Sequence, residues 1–213
     1  MAKKAHENES PQGLYDKLAD IQNLAMKING YRASVAKYLK SLHLDLPANS
    51  LVLDAGSGTG IITLGFLDSG LKASRVVALD LSIKSLLVAR DEFAQRKKRR
   101  GYTETVQANV LTMPFVSGTF DLVLMCGVLE YTPLDTGLAE AARVMKKGAR
   151  LVFIPIKPSI VGSVLELLYN FKTHKPESVR AAASKHFKIV GNHDFPLTEP
   201  IGWSKTVFLL EKK

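Results

Sequence analysis

Apolar residues recur along this chain with two different periods, and the change from one to the other divides it. Between Leu14 and Leu46 the spacing is helical: Leu14, Leu18, Ile21 and Leu24 form one stripe, then Tyr31, Val35, Tyr38, Leu39 and Leu42 form a second, with Gly30 as the break. Two amphipathic helices are predicted. From Leu51 onward the apolar residues gather in short runs, LVLDA, RVVALD, FDLVLMC and ARLVFIPI, as expected of parallel strands covered on both faces. The segments between them carry helix signals. IITLGFL follows a cluster of glycines, Ser82 stands as an N-cap before IKSLLVARDEFAQ, and Leu134 to Lys147 is amphipathic and closes on Lys-Lys-Gly. Strands alternating with helices predict an open α/β sheet.

The weaker signals fill in around this frame. TETVQAN reads as a short third strand ending at Asn109. Pro155 and Pro158 stop the strand before them, and Ile160 to Phe171 is a strongly apolar helix, read mostly as core with one face able to roof an apolar substrate. After the polar break at Lys172 to Pro176, FKIVGNHDF and SKTVFLLEKK are two further strands joined by PLTEPIGW. Residues 1–46 are assigned to an N-terminal extension with cap helices, and 47–213 to the α/β domain.

The densest chemical signal is LVLDAGSGTG, from Leu51 to Gly60. A strand ends in Asp54 and Ala55, then Gly56, Gly58 and Gly60 alternate with Ser57 and Thr59, and a helix begins. Glycine lets the main chain take positive φ and approach a ligand closely, while the helix start offers unpaired N–H groups. Alone, such a turn is equally well a tight connection. A second run, RVVALD, ends in Asp80, at the distance that suits a carboxylate on the neighbouring strand accepting from ribose hydroxyls. A nicotinamide-binding domain is the rival. It would space its third glycine two residues further on, and a pyrophosphate would be repelled by Asp54, whereas a cationic amino group would be attracted.

These residues, with NVLTMPF from Asn109, FDLVLMCGVLEY from Phe120 and RVMKKGARLVF from Arg143, resemble the class I S-adenosylmethionine-dependent methyltransferases, in particular the type 11, UbiE-like subgroup acting on small molecules. The resemblance covers about Leu51 to Ile156. It implies a Rossmann-like, doubly wound, seven-stranded, mostly parallel sheet with an antiparallel last strand, N-terminal helices folded over the cofactor, and S-adenosyl-L-methionine as that cofactor. By the same resemblance Asp54, Ala55, Gly56, Ser57, Gly58, Gly60 and Asp80 bind the cofactor, Leu81 packs on the adenine, and Asn109 and Val110 meet its edge. Asn109 departs from the family's more usual aspartate, which removes the charge-assisted part of that bond. Cys126 and Gly127 fall next to the reactive methyl group. Tyr131 stands where many relatives carry a histidine, and Tyr15, Tyr31 and Arg32 are residues of the N-terminal helices able to reach the site; Tyr131 and Tyr15 are the candidates for a catalytic role. The Asn/Asp-Pro-Pro-aromatic tetrad of methyltransferases that act on nucleic-acid base amines is not matched.

Composition narrows this picture further. A chain of 213 residues with 46% hydrophobic residues can bury the core of one domain. The opening MAKKAHENES has no signal-peptide core and no apolar run reaches the roughly 18 residues that span a bilayer, so a cytoplasmic protein is expected. The lone Cys126 fits a reducing compartment and is not read as a nucleophile; His174, His186 and His193 lack metal-ligand spacing, so no metal is expected. The net charge of +9 owes much to Arg96 to Arg100, read first as a solvated helix end. A small organic acceptor is favoured. An RNA or protein acceptor recruited by the basic surface, or a non-catalytic scaffold, remain alternatives, and the oligomeric state is left open.

Overall fold

The computed structural model of the protein describes residues 30–96 and 102–213. The first predicted helix with Tyr15, and Lys97 to Gly101 of the basic run, lie outside the described residues.

Helix α1 spans Tyr31–Ser41, and the sheet then alternates with helices: β1 Leu51–Ala55, α2 Ile61–Ser69, β2 Arg75–Asp80, α3 Ile83–Ala94, β3 Tyr102–Gln107 and β4 Phe120–Cys126. A 3-10 turn at Leu129–Tyr131 leads to α4 Leu134–Val144, β5 Met145–Ile154, α5 Ile160–Tyr169, α6 Pro176–Ala183, β6 Phe187–Asp194, a second 3-10 turn Pro200–Trp203, and β7 Thr206–Lys212. The seven strands lie in the order β3-β2-β1-β4-β5-β7-β6. All neighbours through β5 are parallel, and β7 runs antiparallel between β5 and β6. The doubly wound sheet and its antiparallel last strand are thus borne out.

Alternation along the central strands sends successive side chains to opposite faces. Leu53, Val123, Leu151, Phe153 and Phe208 bury with Leu138 and Ala141 of α4 and Val179 of α6 on one side. Val52, Leu122, Leu124 and Val152 bury with Val35 and Leu39 of α1 and Ile62 and Phe66 of α2 on the other. Helix α1 is therefore built into one of the two cores. The order of strands reverses between β1 and β4, so the crevice at their carboxyl ends is the place an open α/β sheet offers a ligand.

Two elements differ from the sequence reading. Helix α4 stops at Val144 rather than continuing to Lys147: Met145 turns extended (φ −84, ψ 147) and pairs with Phe120, while Lys146 donates to both oxygens of Asp121. Lys-Lys-Gly belongs to β5. Helix α5 is not core: Ile160, Val164, Leu167 and Leu168 are exposed, and of its side chains Leu165 packs onto the small cluster of Ile156 and Phe171. An all-round apolar sequence records what a helix could bury; what covers it is decided by the fold, and α5 follows β5 past the edge of both cores.

Candidate cofactor and acceptor site

The glycine turn is held by its backbone. Gly56 and Ser57 both donate their N–H groups to the Leu79 carbonyl at 2.7 and 2.9 Å, tying the end of β1 to the end of β2. Gly56, Gly58 and Gly60 have φ of 78°, 52° and 84°, the left-handed region that disfavours a side chain. Space is short as well: a Cβ on Gly56 would lie 2.4 Å from Val128 Cγ2, and one on Gly60 2.7 Å from the Phe93 ring. Asp80 completes the turn. Its Oδ2 accepts from Gly58 N and its Oδ1 from Ser82 N, both at 2.8 Å, which leaves each oxygen with a further lone pair. Ser82 caps α3, accepting from Ser85 N.

Asp54 lies beneath this turn and is completely buried. Its Oδ2 accepts from both the N–H and the hydroxyl of Thr63, at 2.9 and 2.7 Å, while Oδ1 has no hydrogen-bond partner among the described residues. Burial pushes the carboxyl up to about 7, the Thr63 bonds opposing and the Asp80 charge adding to the rise. A buried carboxylate oxygen without a donor among the described residues is uncommon in folded proteins and marks a place for a further donor. The Ser57 hydroxyl, also buried, likewise has no partner.

The other predicted positions spread along the same crevice. Ala55 is fully buried at the end of β1. Leu81 is 68% exposed, an apolar side chain in the open directly after Asp80. Asn109 Oδ1 accepts from Leu111 N at 2.9 Å, so the amide shapes the turn after β3 and retains one free lone pair, and Val110 is buried beside it. Arg32 turns away from the crevice to pair with Asp68 at 2.5 Å, and Arg96 reaches the same carboxylate.

The end of β4 gathers a set of polar groups that the sequence reading noted singly or not at all. The Tyr31 hydroxyl lies 3.5 Å from Cys126 Sγ. Glu130, buried on the 3-10 turn, accepts from Ile156 N through Oε1 and leaves Oε2 without a partner. Lys205 pairs with Ile156 through its backbone and is buried itself, its side chain reaching to Gly127, where an added Cβ would stand 2.6 Å from Nζ. Burial raises the Cys126 thiol, with Lys205 and Tyr31 lowering it and Glu130 and Asp54 raising it further. Burial, Cys126 and Glu130 together push the Tyr31 phenol well above its usual value. Tyr131, in contrast, is half-exposed and packs edge-on against Phe171 at 5.3 Å, on the wall of a cleft of about 490 Å³ shared with Glu130, Pro133, Lys172 and His174. Glu130, its neighbour in sequence, is the one that points inward. Lys205 lay hidden in a strand signal, because a lysine at the start of an apolar run ordinarily marks a strand end.

Comparison with known proteins agrees with this geometry. Residues 53–153 match the family model described as a methyltransferase domain, type 11. The ubiquinone/menaquinone biosynthesis C-methyltransferase UbiE of Rhizobium johnstonii is 31% identical over 136 residues, 63% of this chain and 52% of that protein. An uncharacterized protein of Methanocaldococcus jannaschii is 32% identical over 166 residues, 74% of this chain and 66% of its own length. The chain spans about half the length of the UbiE relatives it matches. Among solved structures, a geranyl diphosphate methyltransferase in complex with S-adenosylmethionine superposes with a TM-score of 0.68 at 14% identity, covering 97% of this chain and 93% of that one. The geranyl diphosphate C-methyltransferase of Streptomyces coelicolor gives 0.67 at 17% identity, over 84% and 75%. At such identities the structures speak for the fold. Residues 53–153 are thus similar to a methyltransferase domain, and the chain is similar over 136 residues to UbiE-type C-methyltransferases.

Proposed function

We propose that the protein transfers a methyl group from S-adenosylmethionine to a small organic acceptor at the crevice between β1 and β4. The observation that carries this reading is Asp54, a buried carboxyl with one unpartnered oxygen beneath three left-handed glycines and beside Asp80. That donor set fits the cofactor. Asp54 Oδ1 would receive the cationic amino group, the main chain from Gly56 through Ser57 and Gly58 to Gly60 would pass close to the methionine moiety, and Asp80 would accept from the ribose hydroxyls. Leu81 and Val110 would hold the adenine between apolar surfaces, with Asn109 at its edge. Cys126 and Gly127 would border the methyl-bearing end.

The bound cofactor supplies a methyl carbon already activated by a sulfonium. The chain's own task is then to orient the acceptor and exclude water, and holding two reactants in line contributes about 7–11 kcal/mol. The half-buried end of β4 serves this purpose, with the cleft beside Glu130 and Tyr131 as the way in. Residues 1–46 are read as an N-terminal extension, of which α1 brings Tyr31 to the end of β4, and the lone Cys126 suits a cytoplasmic setting. Among the described residues no helix is long and apolar enough to cross a membrane.

The test is to incubate the protein with methyl-labelled S-adenosylmethionine and a panel of small carboxylic, phenolic and amine acceptors, with bulk RNA and protein as separate arms. Label in a small molecule supports the reading. Label confined to RNA or protein would overturn the acceptor class.

A further inference from the structure

Lys205 is a buried lysine with no ion-pair partner among the described residues. Its ammonium stands against Gly127, where β4 ends, and it acts electrostatically on the Cys126 thiol. Buried cations ordinarily sit against a counter-charge, because desolvation is costly unless something repays it. Glu130 is a candidate on the chain, since it also acts on Cys126 and binds the N–H of Ile156, the residue that Lys205 bridges. Yet Glu130 spends Oε1 on the Ile156 N–H, leaves Oε2 unpartnered, and makes no salt bridge to Lys205. Two residues of opposite charge, each more than nine-tenths buried, thus lie near one strand end, and no ion pair joins them.

We propose that Lys205 is the acceptor-binding residue of this enzyme: it holds an anionic oxygen of the acceptor beside Cys126 and Gly127, and the Glu130 carboxylate, which acts on the same thiol, disfavours a second negative charge there. The proposal rests on the methyltransferase reading above, since it places the acceptor where that reading puts the methyl group. A carboxylate, enolate or phenolate shares the needed chemistry. Glycine stands at 127 because its φ is 63°, in the left-handed region, and a Cβ there would lie 2.6 Å from the ammonium and displace it. A second negative charge on the acceptor would meet Glu130, and like charges at close range in a poorly solvated site repel strongly. When an acidic hydroxyl binds here its proton passes to solvent through the cleft that Glu130 lines, and the oxyanion remains on Lys205.

The test uses 4-nitrophenol, whose ionised form is yellow, titrated across pH into the protein saturated with S-adenosylhomocysteine. In the wild type the bound probe should ionise about one pH unit or more below the free probe, a roughly tenfold or greater shift toward phenolate. Lys205→Met should abolish the shift and Lys205→Arg should retain most of it; Lys205→Gln is the second neutral variant should the methionine form fail to fold. Affinity for S-adenosylhomocysteine, followed by calorimetry, should change less than about twofold in these variants. A wild-type probe that shows no shift, or an equal shift in Lys205→Met or Lys205→Gln, would overturn the assignment of Lys205. A wild-type protein that does not bind S-adenosylhomocysteine would instead overturn the underlying reading.

Discussion

Replacing Asp54 by asparagine should push stability and cofactor affinity in opposite directions. Asp54 ionises near 3.8 in an unfolded chain and near 7 in the fold, because burial outweighs the bonds from Thr63. A carboxyl raised in this way contributes stability that is fully present below pH 3.8 and is lost as pH rises through about 7. Above that point, forcing the charge into the core costs roughly 4 kcal/mol by the linkage relation. Asp54→Asn removes that cost, keeps an oxygen for Thr63, and leaves a buried amide N–H₂ without a partner, which costs about 1–3 kcal/mol. The ligand-free variant should therefore be more stable than wild type at pH 8 by about 1–3 kcal/mol, and by less at pH 5. The amino group of S-adenosylmethionine would meanwhile lose a charged partner worth about 1.5–3 kcal/mol, so affinity at pH 8 should fall roughly 10- to 150-fold. Wild-type affinity should climb with pH up to about 7 and then level, and the variant's should be flat. Urea unfolding at pH 5 and 8 and calorimetric titration over the same range measure both. A variant less stable than wild type at pH 8, with unaltered affinity, would refute the reasoning.

Asp80→Ala removes the acceptor of Gly58 N and Ser82 N as well as the proposed ribose contact; affinity for S-adenosylmethionine should fall at least about tenfold by calorimetry, and an unchanged value would remove Asp80 from the site. Gly56→Ala places a methyl group into Val128 at a φ of 78°, and should cost about 1–3 kcal/mol in denaturant unfolding together with loss of cofactor binding. At Asp68, burial pulls the carboxyl up but the hydrogen bonds and charges of Arg32 and Arg96 more than reverse it, so it lies below its ordinary 3.8. Its contribution is present above pH 3.8 and lost as pH falls through the lowered value, so Asp68→Asn should lower the melting temperature at pH 7 and narrow the gap to wild type on acidification.

What could be read from the chain beforehand depended on how local its cause was. The glycine turn and Asp80 were legible because the backbone there must take left-handed φ and because a carboxylate at a strand tip has few structural duties. The alternation of strands and helices followed from the apolar pattern alone. Helix α5 departs from the core its sequence predicts because apolar content describes a side chain's preference and says nothing of whether a second layer exists to satisfy it. The end of α4 shifted because Met145 was recruited by Phe120 across the sheet, and Lys146 by Asp121, long-range contacts that outweigh a Lys-Lys-Gly stop signal. Lys205 was invisible for the same reason on a larger scale. Only the antiparallel insertion of β7 between β5 and β6, with its bridge at Ile156, brings that lysine to the end of β4. Glu130 stood next to the residue that was singled out, and one 3-10 turn decides which of the two faces inward.

The crevice formed by Asp54, the glycine turn and Asp80 should bind S-adenosylmethionine. Calorimetric titration of the purified protein with S-adenosylmethionine, and separately with NADH, at low and moderate salt tests it most directly. Saturable one-to-one binding of S-adenosylmethionine alone, nearly indifferent to salt and weakened in Asp54→Asn, is the predicted result. Binding of NADH in its place, or of neither, would contradict the account.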